Sequence, residues 1–315
     1  MRAMVMTDFG GPEVFELRDV PKPAPGIGEL LVRVIAAGTN PVDAKIRAGG
    51  SWAGITPPAI LGYDASGVVE AVGLGVTEFK PGDDVFYTAE VFGNQEGTYA
   101  EYNVVPAAIV AKKPPSLSHF EAAAVPLAGG TAWEGIVRRI KLRVGETILI
   151  HGGAGGVGSF AVQFAKASGA RVLATAGPEN QETLRDLETD VPIDYRNSDV
   201  FEVVRKATAG RGVDAVFDTA GGDLLAHSIP VTRPFGRLAT ILGPSGDFTQ
   251  AYLRNHTIHG VFLIRERARL EEMTPVLARV RPLIDEVLPL EKVAEAHRRM
   301  ESGHGRGKIV LQVAA

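Results

Sequence analysis

The chain contains no cysteine among its 315 residues. Disulfides and thiolate chemistry are therefore excluded, and the chain lacks the ligand on which most structural zinc sites depend. A strong excess of charge is also missing, because 33 Lys and Arg residues nearly balance 37 Asp and Glu residues and leave a formal net charge of -4. This balance gives no electrostatic attraction to nucleic acid or to an anionic membrane surface.

A long apolar run is absent from the amino terminus, where Asp8, Glu13, Glu16 and Asp19 interrupt the sequence. We therefore expect neither a signal peptide nor a transmembrane helix, and together with the absence of cysteine this predicts a soluble, cytoplasmic protein. Low-complexity tracts and internal repeats are not seen. The chain does have 45% hydrophobic residues, over a length that suggests two domains rather than one.

The most informative stretch is a glycine-rich segment at residues 147–166, which reads TILIHGGAGGVGSFAVQFAK. Gly153, Gly155 and Gly158 fit the pattern GxGxxG. The first glycine allows a sharp turn off a strand, the second a close approach of backbone to a pyrophosphate, and the third close packing of a helix on the sheet. The segment therefore predicts a binding site for the pyrophosphate of a dinucleotide.

The residues around this loop support that interpretation. A helix with an apolar stripe is expected to start near Val157, so that Gly156 and Val157 point backbone N–H groups and a positive dipole end at the phosphates. A second apolar strand, 171–175, follows directly after the helix. The whole segment thus predicts a strand-turn-helix-strand unit that binds a dinucleotide.

The pattern of predicted secondary structure changes near residue 125. Before it, short strand-like runs alternate with turns rich in Gly and Pro, which predicts a small all-β body. After it, strands alternate with helices, which is typical of a doubly wound parallel sheet in an α/β fold. The strands predicted there are 147–151, 171–175, 192–195, 214–218, 237–242 and 256–263. We expect a last strand, 308–313, to return to the first domain, which gives domains of 1–124 with 265–315 and of 125–264.

Ligands of a doubly wound sheet bind outside the carboxyl ends of its strands, where the strand order reverses. The ends of the later strands carry small or apolar residues suited to lie against a flat ring. These candidates are Ala220, Leu242, Phe262 and Leu263. Each can also be an ordinary turn residue, but their joint placement on one edge favours contacts with a cofactor.

The end of the second strand bears on the choice between NAD and NADP. NAD enzymes commonly place an Asp or Glu there to bind the ribose 2′-OH. Here Thr175, Ala176 and Gly177 occupy the position, and no acid occurs before Glu179. The missing carboxylate favours NADP, because a charge that would repel a 2′-phosphate is absent. Tyr195, at the end of the third strand, either contacts the cofactor near this point or is a half-buried packing residue.

Four segments in different parts of the chain form one recognisable set. They are GTNPVDAKIRAG at 38–49, GYDASGVVEAVG at 62–73, HGGAGGVG at 151–158 and GHGRGKIVL at 303–311. Together they resemble the zinc-independent medium-chain dehydrogenase/reductases, specifically the quinone oxidoreductase (zeta-crystallin-like) group. The resemblance covers nearly the whole chain. It implies a GroES-like β-barrel domain, a Rossmann domain, NADPH in the cleft between them, and a quinone or α,β-unsaturated carbonyl compound as substrate.

The same resemblance bears on whether the chain binds a zinc ion. Zinc-dependent relatives use a cysteine and a histidine of the first domain as ligands. Asn40 stands at the place of that cysteine, and Tyr63 stands at the place of the histidine. Neither is a credible zinc ligand, so we expect no zinc and no zinc-dependent alcohol oxidation.

With no metal expected, the reaction must rest on positioning a hydride donor against an electron-poor acceptor such as a quinone or enone. Asn40 could donate to the carbonyl oxygen or hold the nicotinamide ribose, and Tyr63 could donate to the oxyanion or line the pocket. The alternatives are a loop residue before Pro41 and a packing aromatic, with water as the proton source. Asp43 and Lys45 are expected to form a solvated charge pair.

The resemblance adds two cofactor contacts. Thr131 matches a threonine that contacts nicotinamide, unless it caps the following helix. Lys308 matches a basic residue at the cleft, unless it is a surface lysine at the start of a strand. Relatives that bind the 2′-phosphate usually have a serine and a lysine just past the second strand. This chain has Gly177, Asn180 and Gln181 there, with Arg185 further along.

Other functions stay open. The runner-up is a reductase of 2-alkenals or enoyl thioesters, and a non-catalytic NADPH-binding role is possible because some relatives are structural or RNA-binding proteins. The acidic balance argues against RNA, and the absence of a GxSxG motif argues against a hydrolase. The apolar last strand of the second domain, 256–264, would leave an exposed edge, so we expect it to pair with a second copy in a homodimer.

Overall fold

The computed structural model describes residues 1–262, 266–303 and 305–314. The chain divides into two compact units, Met1–Ala128 with Arg265–Ala315 and Gly129–Ile264. Over the described residues, no helix combines the length and the apolar character that crossing a membrane requires.

The strands and helices follow in chain order. The described strands are β1 (Arg2–Met6), β2 (Phe15–Asp19), β3 (Glu29–Gly38), β4 (Ala59–Ile60), β5 (Asp64–Val72), β6 (Asp84–Thr88), β7 (Tyr102–Pro106), β8 (Ala111–Lys112), β9 (Thr147–His151), β10 (Arg171–Ala176), β11 (Val191–Asp194), β12 (Val213–Asp218), β13 (Thr232–Thr240), β14 (Thr257–Gly260), β15 (Ile284–Pro289) and β16 (Lys308–Gln312). The described α-helices are α1 (Pro41–Gly49), α2 (His119–Ala124), α3 (Pro126–Trp133), α4 (Gly156–Ala167), α5 (Gln181–Asp186), α6 (Val200–Ala207), α7 (Leu224–Ser228), α8 (Thr249–Leu253), α9 (Arg267–Met273) and α10 (Val293–Glu301). A π-helical turn, Glu134–Arg139, continues α3.

The first unit is built mainly from antiparallel strands. Its larger sheet has the order β15-β16-β3-β5-β6-β8, with β7 also paired to β3, and a smaller sheet has the order β2-β1-β4. Strand β3 lies at the centre, and its apolar residues Leu30, Val32 and Val34 are fully buried. Strand β16 pairs antiparallel with β3, Val310 opposite Gly38, so the end of the chain contributes a strand next to the start of α1.

The second unit holds a six-stranded sheet of order β11-β10-β9-β12-β13-β14. Every neighbouring pair is parallel. Counted within this unit, the order is the 3-2-1-4-5-6 order of dinucleotide-binding folds, and it reverses beside β9. All five residues of β9 are buried, as expected for a strand with both faces covered. The predicted α/β fold with a doubly wound parallel sheet is confirmed. The first unit is mainly β rather than all-β, because it also contains α1, α2, α9 and α10.

Several predicted strand boundaries need correction. Strand β11 ends at Asp194, one residue before Tyr195. Strand β13 starts at Thr232 rather than at residue 237, because Thr232 pairs with Val213 across an irregularity in the ladder. Within the described residues β14 is shorter than the predicted 256–263, and Leu263 lies outside the described residues.

Candidate functional site

The glycine loop connects β9 to α4 in the second unit. Gly152 has a φ of +74°, in the left-handed region that glycine favours, so the sharp turn is made there rather than at Gly153 as predicted. The N–H of Gly153 donates to the carbonyl oxygen of Thr175 (2.8 Å), and the N–H of Gly152 donates to Thr175 Oγ1 (3.1 Å). A Cβ on Gly153 would lie 2.8 Å from the Cβ of Ala174. Gly153 therefore allows the loop to pack on β10.

The helix that follows begins immediately after the loop. Gly155 is the N-cap residue of α4, and a Cβ on Gly158 would lie 2.0 Å from the carbonyl oxygen of Gly152. Only glycine allows this close packing of the first helical turn on the loop. The N–H groups of Gly156, Val157 and Gly158 belong to the first turn, where a helix offers no intrahelical acceptor. The loop and helix start therefore fit the pyrophosphate of a dinucleotide.

The ends of β12 and β13 are joined by a buried carboxylate that the sequence did not single out. Asp218 is fully buried, and its Oδ1 accepts hydrogen bonds from the N–H groups of Ala220 (2.9 Å) and Gly221 (3.0 Å). Thr240 Oγ1 donates to Asp218 Oδ2 (3.3 Å) and accepts from the N–H of Leu242 (3.2 Å). Asp218 thus brings Ala220 and Leu242 to one edge of the sheet.

The remaining candidates of the second unit lie in different surroundings. Thr131 is buried inside α3, so it does not cap the start of that helix. The N–H of Tyr195 donates to the carbonyl oxygen of Ala176 (3.3 Å), and its side chain is half exposed. Phe262 is 66% exposed. Leu263 is outside the described residues.

In the first unit, Asn40, Asp64 and Lys308 form one buried polar cluster. Asn40 Nδ2 donates to Asp64 Oδ2 (3.0 Å), and Lys308 Nζ donates to Asn40 Oδ1 and to the carbonyl oxygen of Thr39 (2.6 Å). The ammonium of Lys308 lies 3.8 Å from Asp64 Oδ2. Both ends of the Asn40 carboxamide are therefore held by charged groups, and the alternative of a surface lysine at position 308 is wrong.

Asp64 is the most heavily bonded member of this cluster. Its Oδ1 also accepts from Thr88 Oγ1 (2.7 Å) and from the N–H of Leu127 (3.0 Å). Burial raises the pKa of Asp64, while the ammonium of Lys308 lowers it again. Burial in turn lowers the pKa of Lys308, and the nearby carboxylates counteract that effect. Each group therefore counteracts part of the effect of burial on the pKa of the other.

A second polar chain starts at the first turn of α1. Asp43 is fully buried and accepts from the hydroxyl of Tyr99 (2.7 Å), so the expected solvated pair with the exposed Lys45 is wrong. Burial raises the pKa of Asp43 to about 7. Tyr99 Oη lies 3.3 Å from His297 Nε2, and His297 Nδ1 lies 3.1 Å from an Arg47 nitrogen. Burial and the Arg47 charge lower the pKa of His297 to about 3, so its ring is neutral near pH 7.

Tyr63 lies directly before β5 and is fully buried. Its carbonyl oxygen accepts from the N–H of Ala89 (2.6 Å). Its hydroxyl has no hydrogen-bond partner among the residues that the structure describes. Burial raises the pKa of Tyr63, so the hydroxyl stays protonated and is able to donate.

The residues at the predicted site of the first unit do not fit a zinc ion. The oxygen of the Asn40 carboxamide is taken by the Lys308 ammonium, and that buried cation would repel a metal ion at the same place. Tyr63 is a protonated phenol rather than an imidazole. Among the described residues, no group of three or more His, Cys, Asp or Glu side chains is arranged to hold a metal ion.

Comparison with protein families relates both units to known proteins. Residues 26–115 match the alcohol dehydrogenase GroES-like domain, and residues 187–311 match a family described as zinc-binding dehydrogenase. The chain is 31% identical to the quinone oxidoreductase of Homo sapiens, over 99% of this chain and 97% of that protein. It is 33% identical to the chloroplastic NADPH-dependent alkenal/one oxidoreductase of Arabidopsis thaliana, over 99% of this chain and 79% of that protein.

Solved structures agree with this relationship. The quinone oxidoreductase from Coxiella burnetii has a TM-score of 0.90 and 31% identity, covering 100% of this chain and 99% of that one. A structure described as an NAD-dependent alcohol dehydrogenase has a TM-score of 0.92 and 37% identity, covering all of both chains.

Proposed function

The chain belongs to the quinone oxidoreductase group of the medium-chain dehydrogenase/reductases, and we propose that it transfers a hydride from NADPH to a quinone or an α,β-unsaturated carbonyl compound without zinc. The observation that carries this proposal is the glycine loop between β9 and α4, located where the strand order reverses. The names of the relatives, quinone oxidoreductase and alkenal/one oxidoreductase, support the class of acceptor.

The cofactor contacts follow from this loop. The first N–H groups of α4 bind the pyrophosphate, and the residues at the strand ends line the adenosine and nicotinamide positions. The proposed contacts are Asn40, Thr131, Gly153, Gly155, Gly156, Val157, Gly158, Thr175, Gly177, Tyr195, Ala220, Leu242, Phe262, Leu263 and Lys308. For Lys308 the hydrogen bonds favour an indirect role, because its ammonium already binds Asn40 and Thr39.

The chemistry needs a hydride, which NADPH supplies when bound. We propose Asn40 and Tyr63 as the polar side chains that serve the acceptor. Lys308 and Asp64 fix the orientation of the Asn40 carboxamide, which leaves one Nδ2 hydrogen for a further acceptor. The protonated Tyr63 hydroxyl is a donor suited to a carbonyl oxygen that gains negative charge. A quinone or enone spreads that charge itself, so Lewis-acid help is less necessary.

Turnover assays test this function directly. The protein is dialysed against a chelator, and the loss of NADPH absorbance is followed after addition of a quinone or of a 2-alkenal. We expect steady oxidation of NADPH with at least one acceptor. Tight NADPH binding without turnover on any quinone, enal or enone would instead identify a non-catalytic NADPH-binding protein.

The second candidate is a reductase of 2-alkenals or enoyl thioesters. It is favoured by the relative from Arabidopsis thaliana, which is named for alkenal/one reduction. The ratio of kcat/KM for a 2-alkenal to kcat/KM for a quinone separates the two candidates.

We further propose a homodimer formed through β14. This strand lies at the edge of the sheet order, and Ile258 on it is 38% exposed. An uncovered edge strand is a ready template for pairing with a second copy. Light scattering is expected to give the mass of a dimer, and a clean monomer mass would contradict the proposal. A cytoplasmic location stays a prediction from the sequence.

A further inference from the structure

The ends of β10 and β11 lie side by side in the second unit. Ala176, the last residue of β10, is in register with Asp194, the last residue of β11. The N–H of Tyr195 then donates to the carbonyl oxygen of Ala176 (3.3 Å). In this fold the end of the second strand is where the adenosine ribose binds, with an acid for a 2′-OH or an arginine for a 2′-phosphate.

The carboxylate of Glu179 lies near the end of β10, although Glu179 comes after the position at which the sequence pattern places an acid. Glu179 follows β10 by three positions, within the turn Pro178–Asn180. Its side chain folds back over Gly177, since a Cβ on Gly177 would lie 2.4 Å from Glu179 Oε1. The strand end is therefore not free of negative charge, contrary to the expectation from the order of the residues.

An arginine from the neighbouring strand reaches the same carboxylate. An Arg196 side-chain nitrogen lies 3.4 Å from Glu179 Oε2, and its guanidinium carbon lies 5.7 Å from the centre of the Tyr195 ring. The backbone is fixed by Asp194, which accepts from the N–H of Arg196 (3.0 Å) and from Asn197 Nδ2 (2.7 Å). Arg196 is thus aimed at the end of β10.

The Glu179–Arg196 pair can exchange partners. The two side chains are 43% and 42% exposed, and exposed ion pairs of this kind contribute little to folding. A phosphate presents more negative charge than a carboxylate and matches the two-pronged geometry of a guanidinium. A bound 2′-phosphate is therefore expected to displace Glu179 from Arg196.

We propose that Arg196 binds the 2′-phosphate of NADPH and that Glu179 is its exchangeable partner. In the absence of that phosphate, Glu179 accepts a hydrogen bond from the ribose 2′-OH of NADH. The inference rests on the proposed function for its cofactor, and it makes this pair the determinant of coenzyme preference. The serine and lysine that the resemblance led us to look for just past β10 are absent, and one arginine that follows the next strand takes the role that we assign to them.

Binding of two nucleotide fragments tests the proposal without turnover. Calorimetric titration compares adenosine 2′,5′-bisphosphate with adenosine 5′-monophosphate on the wild type, Arg196→Gln and Glu179→Gln. Arg196→Gln is expected to weaken the bisphosphate about 10- to 100-fold, as for loss of a charge-assisted hydrogen bond, and the monophosphate by less than about twofold. Glu179→Gln is expected to strengthen the bisphosphate several-fold.

Arg185→Gln serves as the matched control. It removes the same charge from the same unit, but Arg185 pairs with Glu182 on its own helix at 2.8 Å. Bisphosphate binding should stay within about twofold of the wild type in this variant. The proposal is overturned if Arg196→Gln weakens both fragments equally, or if Arg185→Gln has the larger effect on the bisphosphate.

Turnover with NADPH and NADH separates this proposal from the proposed function. If the wild type reduces quinones or enones and Arg196→Gln keeps its kcat/KM ratio for NADPH over NADH, the role of Arg196 is wrong and the function stands. If no acceptor is reduced but bisphosphate binding depends on Arg196, the function is wrong and the nucleotide assignment stands. If the wild type neither binds the bisphosphate nor oxidises NADPH with any acceptor, both are wrong.

Discussion

The ammonium of Lys308 lies 3.8 Å from the carboxylate of Asp64 in the interior of the first unit. The Asn40 carboxamide connects them, accepting from Lys308 and donating to Asp64. The side chains of Lys308 and Asp64 thus hold the Asn40 carboxamide from both of its ends. The pair fixes the start of α1 and the position of a proposed catalytic side chain.

Replacing either Lys308 or Asp64 alone should lower the free energy of unfolding strongly. Lys308→Met leaves the Asp64 charge buried without a counter-ion, and we expect a loss of about 3–5 kcal/mol in the free energy of unfolding. The double variant Lys308→Met/Asp64→Asn should lose less than the sum of its two single variants, because neither charge then stays unpaired. Urea unfolding measures all four proteins. Strictly additive losses would show that the two side chains do not act as a pair.

Asp43 should make stability depend on pH. Its pKa is raised from 3.8 to about 7 by burial, so its contribution to stability is complete below its ordinary pKa and is lost as pH rises through about 7. Relative to Asp43→Asn, the wild type should lose free energy of unfolding across this window, by at most about 1.4 kcal/mol per pH unit.

The difference in the free energy of unfolding between the wild type and Asp43→Asn isolates the contribution of Asp43. His297 acts in the opposite direction, because its pKa is lowered from 6.5 to about 3 and its contribution is lost as pH falls through that range. It is present in both proteins and cancels in the comparison. Chemical unfolding at several pH values gives the curves. A difference that grows in favour of the wild type with rising pH would contradict the assignment.

Gly158 should tolerate no side chain. Gly158→Ala puts a Cβ about as close as 2.0 Å to the carbonyl oxygen of Gly152, so the loop must shift away from the first turn of α4. We expect a loss of about 1–3 kcal/mol in stability and at least about tenfold weaker NADPH binding. Fluorescence titration and thermal unfolding measure both.

The matched control is Gly305→Ala, in the exposed segment before β16. A Cβ there meets nothing within 4 Å, so the substitution should change neither property. Equal effects of the two substitutions on NADPH binding would mean that the close packing of loop and helix is not the reason for the glycine.

Tyr63→Phe tests the proposed donor. The hydroxyl has no partner among the described residues, so its removal should leave the free energy of unfolding unchanged or raise it by about 1 kcal/mol. If the hydroxyl stabilises the oxyanion, kcat falls about 10- to 100-fold while KM changes little. Steady-state kinetics provides the values. An unchanged kcat would assign Tyr63 to packing alone.

Local patterns explain why the second unit could be predicted. The glycine loop, the apolar strands and the intervening helix lie within consecutive residues, so periodicity and turn chemistry define them together. The predicted ends of the strands are less accurate than the predicted positions of the strands themselves. Strand β13 begins early because Thr232 pairs with Val213, and that pairing depends on a neighbouring strand rather than on its own sequence.

The buried polar cluster could not be predicted in the same way. Lys308 and Asn40 are 268 positions apart, and His297 and Arg47 are 250 apart, so only the fold brings them together. Asp43 looks like an ordinary residue of a first helical turn, and its partner Tyr99 is 56 positions away in the sequence. Arg196 was missed because its partner Glu179 follows a different strand.

The central claim is hydride transfer from NADPH to a conjugated carbonyl compound, and isotope transfer tests it most directly. The protein is given NADPH that carries deuterium at both hydrogen positions of the reactive nicotinamide carbon, together with an α,β-unsaturated ketone, and the product is analysed by mass spectrometry. We predict one deuterium per product molecule, bound at the β-carbon. Reduction of the ketone to an unlabelled product, or no reduction of either the ketone or a quinone under conditions in which NADPH is bound, would contradict the account.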